Sequence, residues 1–295
     1  MKFNKIVAID NTGLVDEVVE ELGFLAKKVV TYQDYPKSNN EIISRIGDAD
    51  AVLVSWNTPI DKEVLAKCPN IKYIGMCCSL IDENSANVDV KEAKKYGIKV
   101  LGVRDYGDEG VIEFIISELI RLFQGNGEYQ WKQEETELTD QNLGIIGMGT
   151  LGKMLAEKAQ SFGMNVYYYS RSRKKDVEDI GVQYLDLESL LEKVDIISTH
   201  LPRNTIVLDK FMLKKINNNK VIVNTSLEPT FDVEEFMNWI DKEGNYAIFD
   251  KAAMGKHYNE LKKLNKVIYT DKVVGWTEQA KRRLSLKVLD NLKSY

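Results

Sequence analysis

The chain has 295 residues, 44% hydrophobic and 29% charged, a balance that suits a globular protein long enough for two ordinary domains. Forty basic against forty-five acidic residues leave a net charge of -5, which argues against a general nucleic-acid surface, and no apolar run approaches the ~18 residues of a membrane span. The three cysteines, Cys68, Cys77 and Cys78, lack metal-ligand spacing and fit a reducing compartment.

The start, MKFNKIVAID, enters a strand pattern directly, without the apolar stretch and cleavage site of a secretory signal. A cytoplasmic location and small-molecule partners are therefore expected, with neither nucleic acid nor membrane among them. KIVAID, KKVVTY, AVLVS, IKYIGM and GIKVL then follow as strand patterns, separated by helical ones such as LVDEVVEEL and NEIISRI. This alternation predicts α/β architecture with a parallel sheet and crossover helices.

DEGVIEFIISELIRLFQ is apolar around most of a helix, which predicts burial between domains or in a subunit interface. The polar stretch from Gly125 to Gln141 reads as a surface arm. A second alternation begins near Gln141, with LGIIG, MNVYYY, VDIIST, KVIVNT, NYAIF and KVIYT as strands. The last stretch, TEQAKRRLSLKVLDNLKS, is a long helix placed to return the chain to the first domain.

LGIIGMGTLGKMLAEKAQSFGMNVYYYSRSRKK carries a glycine fingerprint in the right setting, with a strand before it, a helix after it and a second strand next. Gly147 permits the tight turn, Gly149 lets backbone amides approach a pyrophosphate, and Gly152 lets the helix pack on the sheet. Dinucleotide binding at the positive helix end is the expectation. The acidic residue that normally holds the ribose 2'-hydroxyl, roughly twenty positions on, is absent. Ser170, Arg171 and Ser172 stand there, followed by Arg173, Lys174 and Lys175. Hydroxyls and a guanidinium fork suit a 2'-phosphate, so NADP(H) is favoured over NAD(H); the plain alternative is a solvated basic loop.

With these motifs in order, the chain resembles the D-isomer-specific 2-hydroxyacid dehydrogenase family. The likeness is carried by NVDV and GIKV, VIEF, LGIIGMGTLG, FGMNV, HLPRNT, VIVNTS, the Asp250 strand and VGWTEQA. The resemblance implies two parallel-sheet domains of Rossmann-like and flavodoxin-like type with a cleft between them, and usually a homodimer. Residues 1–102 plus 276–295 would form the substrate domain and residues 103–275 the NADP-binding domain. It also implies cofactor contacts from Gly147, Gly149, Thr150, Leu151 and Gly152 at the pyrophosphate. Leu201 and Pro202 would lie beside the adenosine half, and Thr225, Ser226 and Asp250 near the nicotinamide, although Asp250 also reads as a turn residue at a strand end. His200 reads as a structural residue rather than an acid or base.

The family's catalytic set is missing. Leu227 stands where the family has the arginine that grips a substrate carboxylate, Gly255 where it has a glutamate, and Lys272 where it has the histidine. The family's glycine loop for the carboxylate has no clear counterpart in CCSLIDENSANVD. Carbonyl reduction needs charge stabilisation and a proton donor. Leu227 supplies neither; Lys272 could supply both if buried near the nicotinamide, and otherwise is a solvent-facing lysine. Two functions follow: an NADP(H)-dependent oxidoreductase with an atypical site, acting on a small carbonyl or imine compound, or a non-catalytic NADP(H) sensor on the same fold.

Overall fold

The computed structural model describes residues 2–83 and 86–295. They form two compact units: one runs to Gly107 and resumes at Thr277, and the other spans Asp108–Trp276.

In the first unit, β1 (Phe3–Ala8), α1 (Asp16–Leu22), β2 (Ala26–Thr31), α2 (Asn39–Ile46), β3 (Ala51–Val54), α3 (Lys62–Lys67), β4 (Tyr73–Ser79), α4 (Val90–Lys95) and β5 (Lys99–Val103) follow in turn. The sheet is parallel with order β2-β1-β3-β4-β5, a flavodoxin-like winding. The strands β3 and β4 are almost wholly buried because helices cover both faces. Alternation along β4 sends Cys77 to one core layer, with Phe3 and Leu53, and Cys78 to the other, with Ile74 and Met76. Asn84 and Ser85, within the segment that lacks a clear counterpart of the family's glycine loop, lie outside the described residues.

The second unit opens with α5 (Asp108–Phe123) and continues through β6 (Asn142–Ile146), α6 (Thr150–Ser161), β7 (Asn165–Tyr169), α7 (Lys175–Glu178), β8 (Gln183–Tyr184), α8 (Leu187–Lys193) and β9 (Ile196–Thr199). Then come α9 (Lys210–Lys215), β10 (Val221–Asn224), α10 (Val233–Ile240), β11 (Tyr246–Phe249), α11 (Lys251–Met254), α12 (Tyr258–Leu261) and β12 (Val267–Tyr269). Its seven parallel strands take the order β12-β11-β10-β9-β6-β7-β8, and the winding reverses between β6 and β9. The helix α5 buries Ile112, Ile115, Leu119 and Phe123 in this unit's own core against β6 and α6. The 125–141 stretch is a surface segment but not a free arm. Trp131 and Leu138 are buried in the same core, with the Trp131 ring centroid 4.4 Å from that of Phe123.

The last helix, α13 (Glu278–Ser294), is capped by the Thr277 hydroxyl, which accepts from the Ala280 amide. Its Leu284, Val288, Leu289 and Leu292 stripe fills the first unit's core beside Phe3, Val18 and Tyr73. Among the described residues no helix is long and apolar enough to cross a membrane.

Candidate active site

The register of the seven-stranded sheet sets Tyr169, Ile146, Thr199, Asn224 and Phe249 side by side. The residues that follow them, Ser170, Gly147, His200, Thr225 and Asp250, therefore leave the sheet along one carboxyl edge. In an open parallel sheet that edge, at the reversal of strand order, is where ligands bind.

The three fingerprint glycines serve different needs there. Gly147 has φ +100°, and a Cβ on it would collide with the His200 carbonyl oxygen; its amide donates to the Tyr169 carbonyl at 2.9 Å. A Cβ on Gly152 would collide with the Gly147 carbonyl, so α6 packs against the turn only without a side chain. Gly149, the N-cap of α6, faces open space, with nothing within 4 Å of where its Cβ would be. No side chain caps α6. A concave turn with unfilled backbone amides at the start of a three-turn helix fits a pyrophosphate. Thr150 is exposed at this mouth, while Leu151 packs partly into the core.

Beyond β7, Ser170 is half-buried and Arg171 and Ser172 are exposed. Two nearby pairs are committed: Arg173 chelates Glu178, and Lys153 bonds Asp176. Among the described residues, no hydrogen bond or ion pair engages the Arg171 guanidinium.

At the ends of β9 and β10 the polar side chains mostly hold the edge together. The Ser226 hydroxyl donates to the Thr199 carbonyl at 3.1 Å and accepts from the Leu201 amide at 3.0 Å, so it ties the two strand ends rather than standing open to a ligand. The fully buried Asn224 accepts from the Ser226 amide and the Thr199 hydroxyl and donates to the Glu228 and Ala253 carbonyls. It is the hub of the edge, and the sequence reading did not single it out. The Thr225 hydroxyl is buried with no hydrogen-bond partner, a polar atom left for a ligand. Leu201 and Pro202 are half-buried. His200 shares a hydrogen bond of 2.9 Å between its Nε2 and Ser198, its Nδ1 is out of contact with solvent, and burial pulls its pKa down to about 4. It is neutral at pH 7.

Asp250 caps α11 by accepting from the Ala253 amide at 2.9 Å, and its other oxygen accepts from the Val274 amide at 3.2 Å. Burial pushes its carboxyl up to about 6 against the pull of those bonds. The turn role read from its position is thus filled. Lys272 runs beside it: its carbonyl accepts from the Lys251 amide at 3.1 Å, but its side chain is exposed, without the burial that an acid role needs. Leu227 is 43% exposed.

A carboxylate and a guanidinium that the sequence reading missed stand beside these positions. Glu228 has φ +82°, and its Cγ would be 3.1 Å from a Cβ on Gly255. Its Oε1 lies 4.0 Å from Arg203 Nε.

The model of the D-isomer specific 2-hydroxyacid dehydrogenase NAD binding domain matches residues 117–271, more than half of the chain. The chain belongs to the D-isomer-specific 2-hydroxyacid dehydrogenase family. It is 28% identical to a hydroxypyruvate reductase of Blautia hydrogenotrophica over 86% of this chain and 84% of that one. A glyoxylate reductase of Thermococcus litoralis is 29% identical over 86% and 82%. Among solved structures, an acyclic imino acid reductase in complex with NADPH and D-arginine superposes with a TM-score of 0.83 at 25% identity, covering 99% of this chain and 96% of that one. The family's relatives here are named as reductases and dehydrogenases, and the chain is an oxidoreductase of the NAD(P)-dependent type.

Proposed function

We propose that this member of the family is an NADP(H)-dependent reductase of a small carbonyl or imine compound, working with a remodelled set of polar residues. The observation that carries the reading is the contrast along one strand edge. The pyrophosphate turn at Gly147, Gly149 and Gly152 is open, while exposed Leu227 and bare Gly255 stand where the family carries its arginine and glutamate. Gly147, Gly149, Thr150, Leu151 and Gly152 would hold the pyrophosphate through backbone amides, with Leu201 and Pro202 against the adenosine half. Thr225, with its unpartnered hydroxyl, is the polar contact left for the nicotinamide half. Ser226 and Asp250 keep that edge in shape through Thr199, Leu201, Ala253 and Val274.

The preference for NADP(H) is supported by Ser170, Arg171 and Ser172 at the end of β7, and by the commitment of Asp176 and Glu178 to Lys153 and Arg173. Each of these two carboxylates is thereby paired with a cation, which lessens its repulsion of a 2'-phosphate. The structural neighbour solved with NADPH agrees with this reading, and its reaction is that of an imino acid reductase. When bound, the nicotinamide supplies two electrons as hydride. A cytoplasmic homodimer is the expected form.

Titration of the purified chain with NADPH and NADH, followed by tryptophan fluorescence, tests the cofactor reading. Tighter NADPH binding supports it, and equal affinities or an NADH preference overturn the phosphate site. Oxidation of bound NADPH by a panel of carbonyl and imine compounds tests the reductase reading. A chain that binds NADPH and oxidises it with none of them is the sensor instead.

A further inference from the structure

We infer that Arg203 and Glu228 form the substrate-recognising pair of this chain, and that they select an α-imino acid in its protonated, zwitterionic form. The inference rests on the reductase reading above and names its substrate class.

Both residues leave the same carboxyl edge as the cofactor turn. Arg203 follows β9 and Glu228 follows β10. Their side chains are 32% and 41% exposed, and the Arg203 Nε and Glu228 Oε1 atoms are 4.0 Å apart. That is close enough to attract and too far for a hydrogen bond between these atoms.

The Glu228 backbone is held in a conformation that favours glycine. At φ +82°, its amide donates to the Ala252 carbonyl at 2.9 Å and its carbonyl accepts from Asn224 Nδ2 at 3.1 Å. A non-glycine residue in such a conformation at a strand edge points to function. Room for its side chain comes from Gly255, whose missing Cβ would stand 3.1 Å from Glu228 Cγ and 3.4 Å from its Cβ. In this proposal the carboxylate absent at 255 has its counterpart at 228, whose Cβ and Cγ pass the point where a side chain at 255 would begin. The guanidinium lost at 227 is replaced by Arg203.

This rearranged pair changes what it binds. A keto acid offers one negative charge, attracted by Arg203 and repelled by Glu228. A protonated imino acid offers a carboxylate to Arg203 and an N–H cation to Glu228, so the pair discriminates by repulsion as well as attraction. The Glu228 carboxylate also favours the protonated form of the imine, its electrophilic form.

The chemistry then explains why the histidine position can be occupied by an exposed lysine, Lys272. Reduction of a ketone leaves an alkoxide that must be protonated. When hydride adds to the carbon of a protonated imine, a C–H bond forms and the C=N π pair becomes the nitrogen lone pair. The cationic charge is cancelled and a neutral amine results, which takes its later proton from water. The family's histidine and its orienting glutamate are not needed for that step.

The test uses the full chain, NADPH, and pyruvate with or without methylamine, which together form the N-methyl imine of pyruvate. Binding of the product, N-methylalanine, to the NADP+-loaded chain is followed by calorimetry. The wild type should oxidise NADPH only when methylamine is present, and should bind N-methylalanine but not lactate. Glu228→Gln and Arg203→Leu should each raise the KM for the imine and weaken N-methylalanine binding about tenfold or more, with kcat and NADPH affinity changing less. Glu228→Gly, which relieves the φ value and folds readily, should show the same loss. Variants that keep wild-type KM and N-methylalanine affinity overturn the pair while leaving the reductase reading intact. Equal oxidation with pyruvate alone, or neither imine-dependent oxidation nor N-methylalanine binding, overturns the imino-acid assignment. Failure to bind NADPH overturns the reductase reading itself.

Discussion

The Glu228 side chain lies against the open face of Gly255, so a side chain at 255 would meet the Glu228 Cγ at 3.1 Å and push it aside. Gly255 has φ +51°, and its missing Cβ is what admits the Glu228 Cβ and Cγ. Gly255→Glu, which restores the family's residue type, should therefore destabilise the chain by about 1 to 3 kcal/mol through backbone strain and crowding. Glu228→Gly should leave stability within about 1 kcal/mol, because relief of the positive φ offsets the extra chain entropy of glycine. Urea unfolding checks both. A Gly255→Glu variant as stable as the wild type would show that Glu228 does not depend on the glycine.

Arg171→Ala should cost about 1 to 3 kcal/mol of NADPH binding, the loss of a charged hydrogen bond, and leave NADH affinity nearly unchanged. The comparison isolates the 2'-phosphate. Equal weakening for both nucleotides would place Arg171 elsewhere on the cofactor.

His200 gives the fold a dependence on acid. Its pKa is lowered by burial from 6.5 to about 4, so below pH 6.5 the unfolded chain takes up a proton that the folded chain refuses. Stability from this residue is present above pH 6.5 and is lost as pH falls towards 4. Relative to His200→Gln, the wild type should lose about 2 to 3 kcal/mol across that window. A flat difference between the two proteins would mean that His200 is protonated in the folded state.

Asp250 acts in the opposite sense. Burial raises its carboxyl from 3.8 to about 6, so the folded chain holds a proton that the unfolded chain has released. Its contribution is present below pH 3.8 and is lost as pH rises through 6. The stability difference between wild type and Asp250→Asn should fall by about 2 to 3 kcal/mol from pH 4 to pH 7. A constant offset would indicate only the loss of one of its two backbone hydrogen bonds.

Lys272→Ala separates the two reactions open to the family fold. Its side chain is exposed, and a protonated imine needs no donor, so turnover of the N-methyl imine of pyruvate should stay within about twofold of wild type. A drop of about a hundredfold, the usual contribution of a positioned acid, would restore the lysine to the mechanism.

Much of this was legible in the sequence. The alternation of short β-rich runs with amphipathic stretches announced two parallel sheets, because buried parallel strands are continuous apolar runs such as Ala51–Val54 and Val221–Asn224. The glycine turn at the end of β6 was legible because Gly147 and Gly152 meet steric demands that only glycine satisfies. The two-residue strand β8 was too short to carry a period. Trp131 and Leu138 disappeared into a polar composition, although each is an isolated anchor. The replacement pair was hidden for another reason: Arg203 and Glu228 are far apart in sequence, and the one local sign, a glutamate forced to positive φ, depends on bonds from Asn224 and Ala252 that no sequence pattern announces. The motif at Ser226 predicts a place near the nicotinamide, and what no motif announces is that its hydroxyl joins the Thr199 carbonyl to the Leu201 amide.

The loss of the family's catalytic set is tested most directly by steady-state turnover of hydroxypyruvate with saturating NADPH. With Leu227, Gly255 and Lys272 in place of arginine, glutamate and histidine, and with Glu228 repelling a lone carboxylate, the rate should fall far below the ~10 per second typical of enzymes on their own substrates. Turnover at or above that rate would contradict the account, since it would require a working carboxylate clamp and proton donor that these residues do not provide.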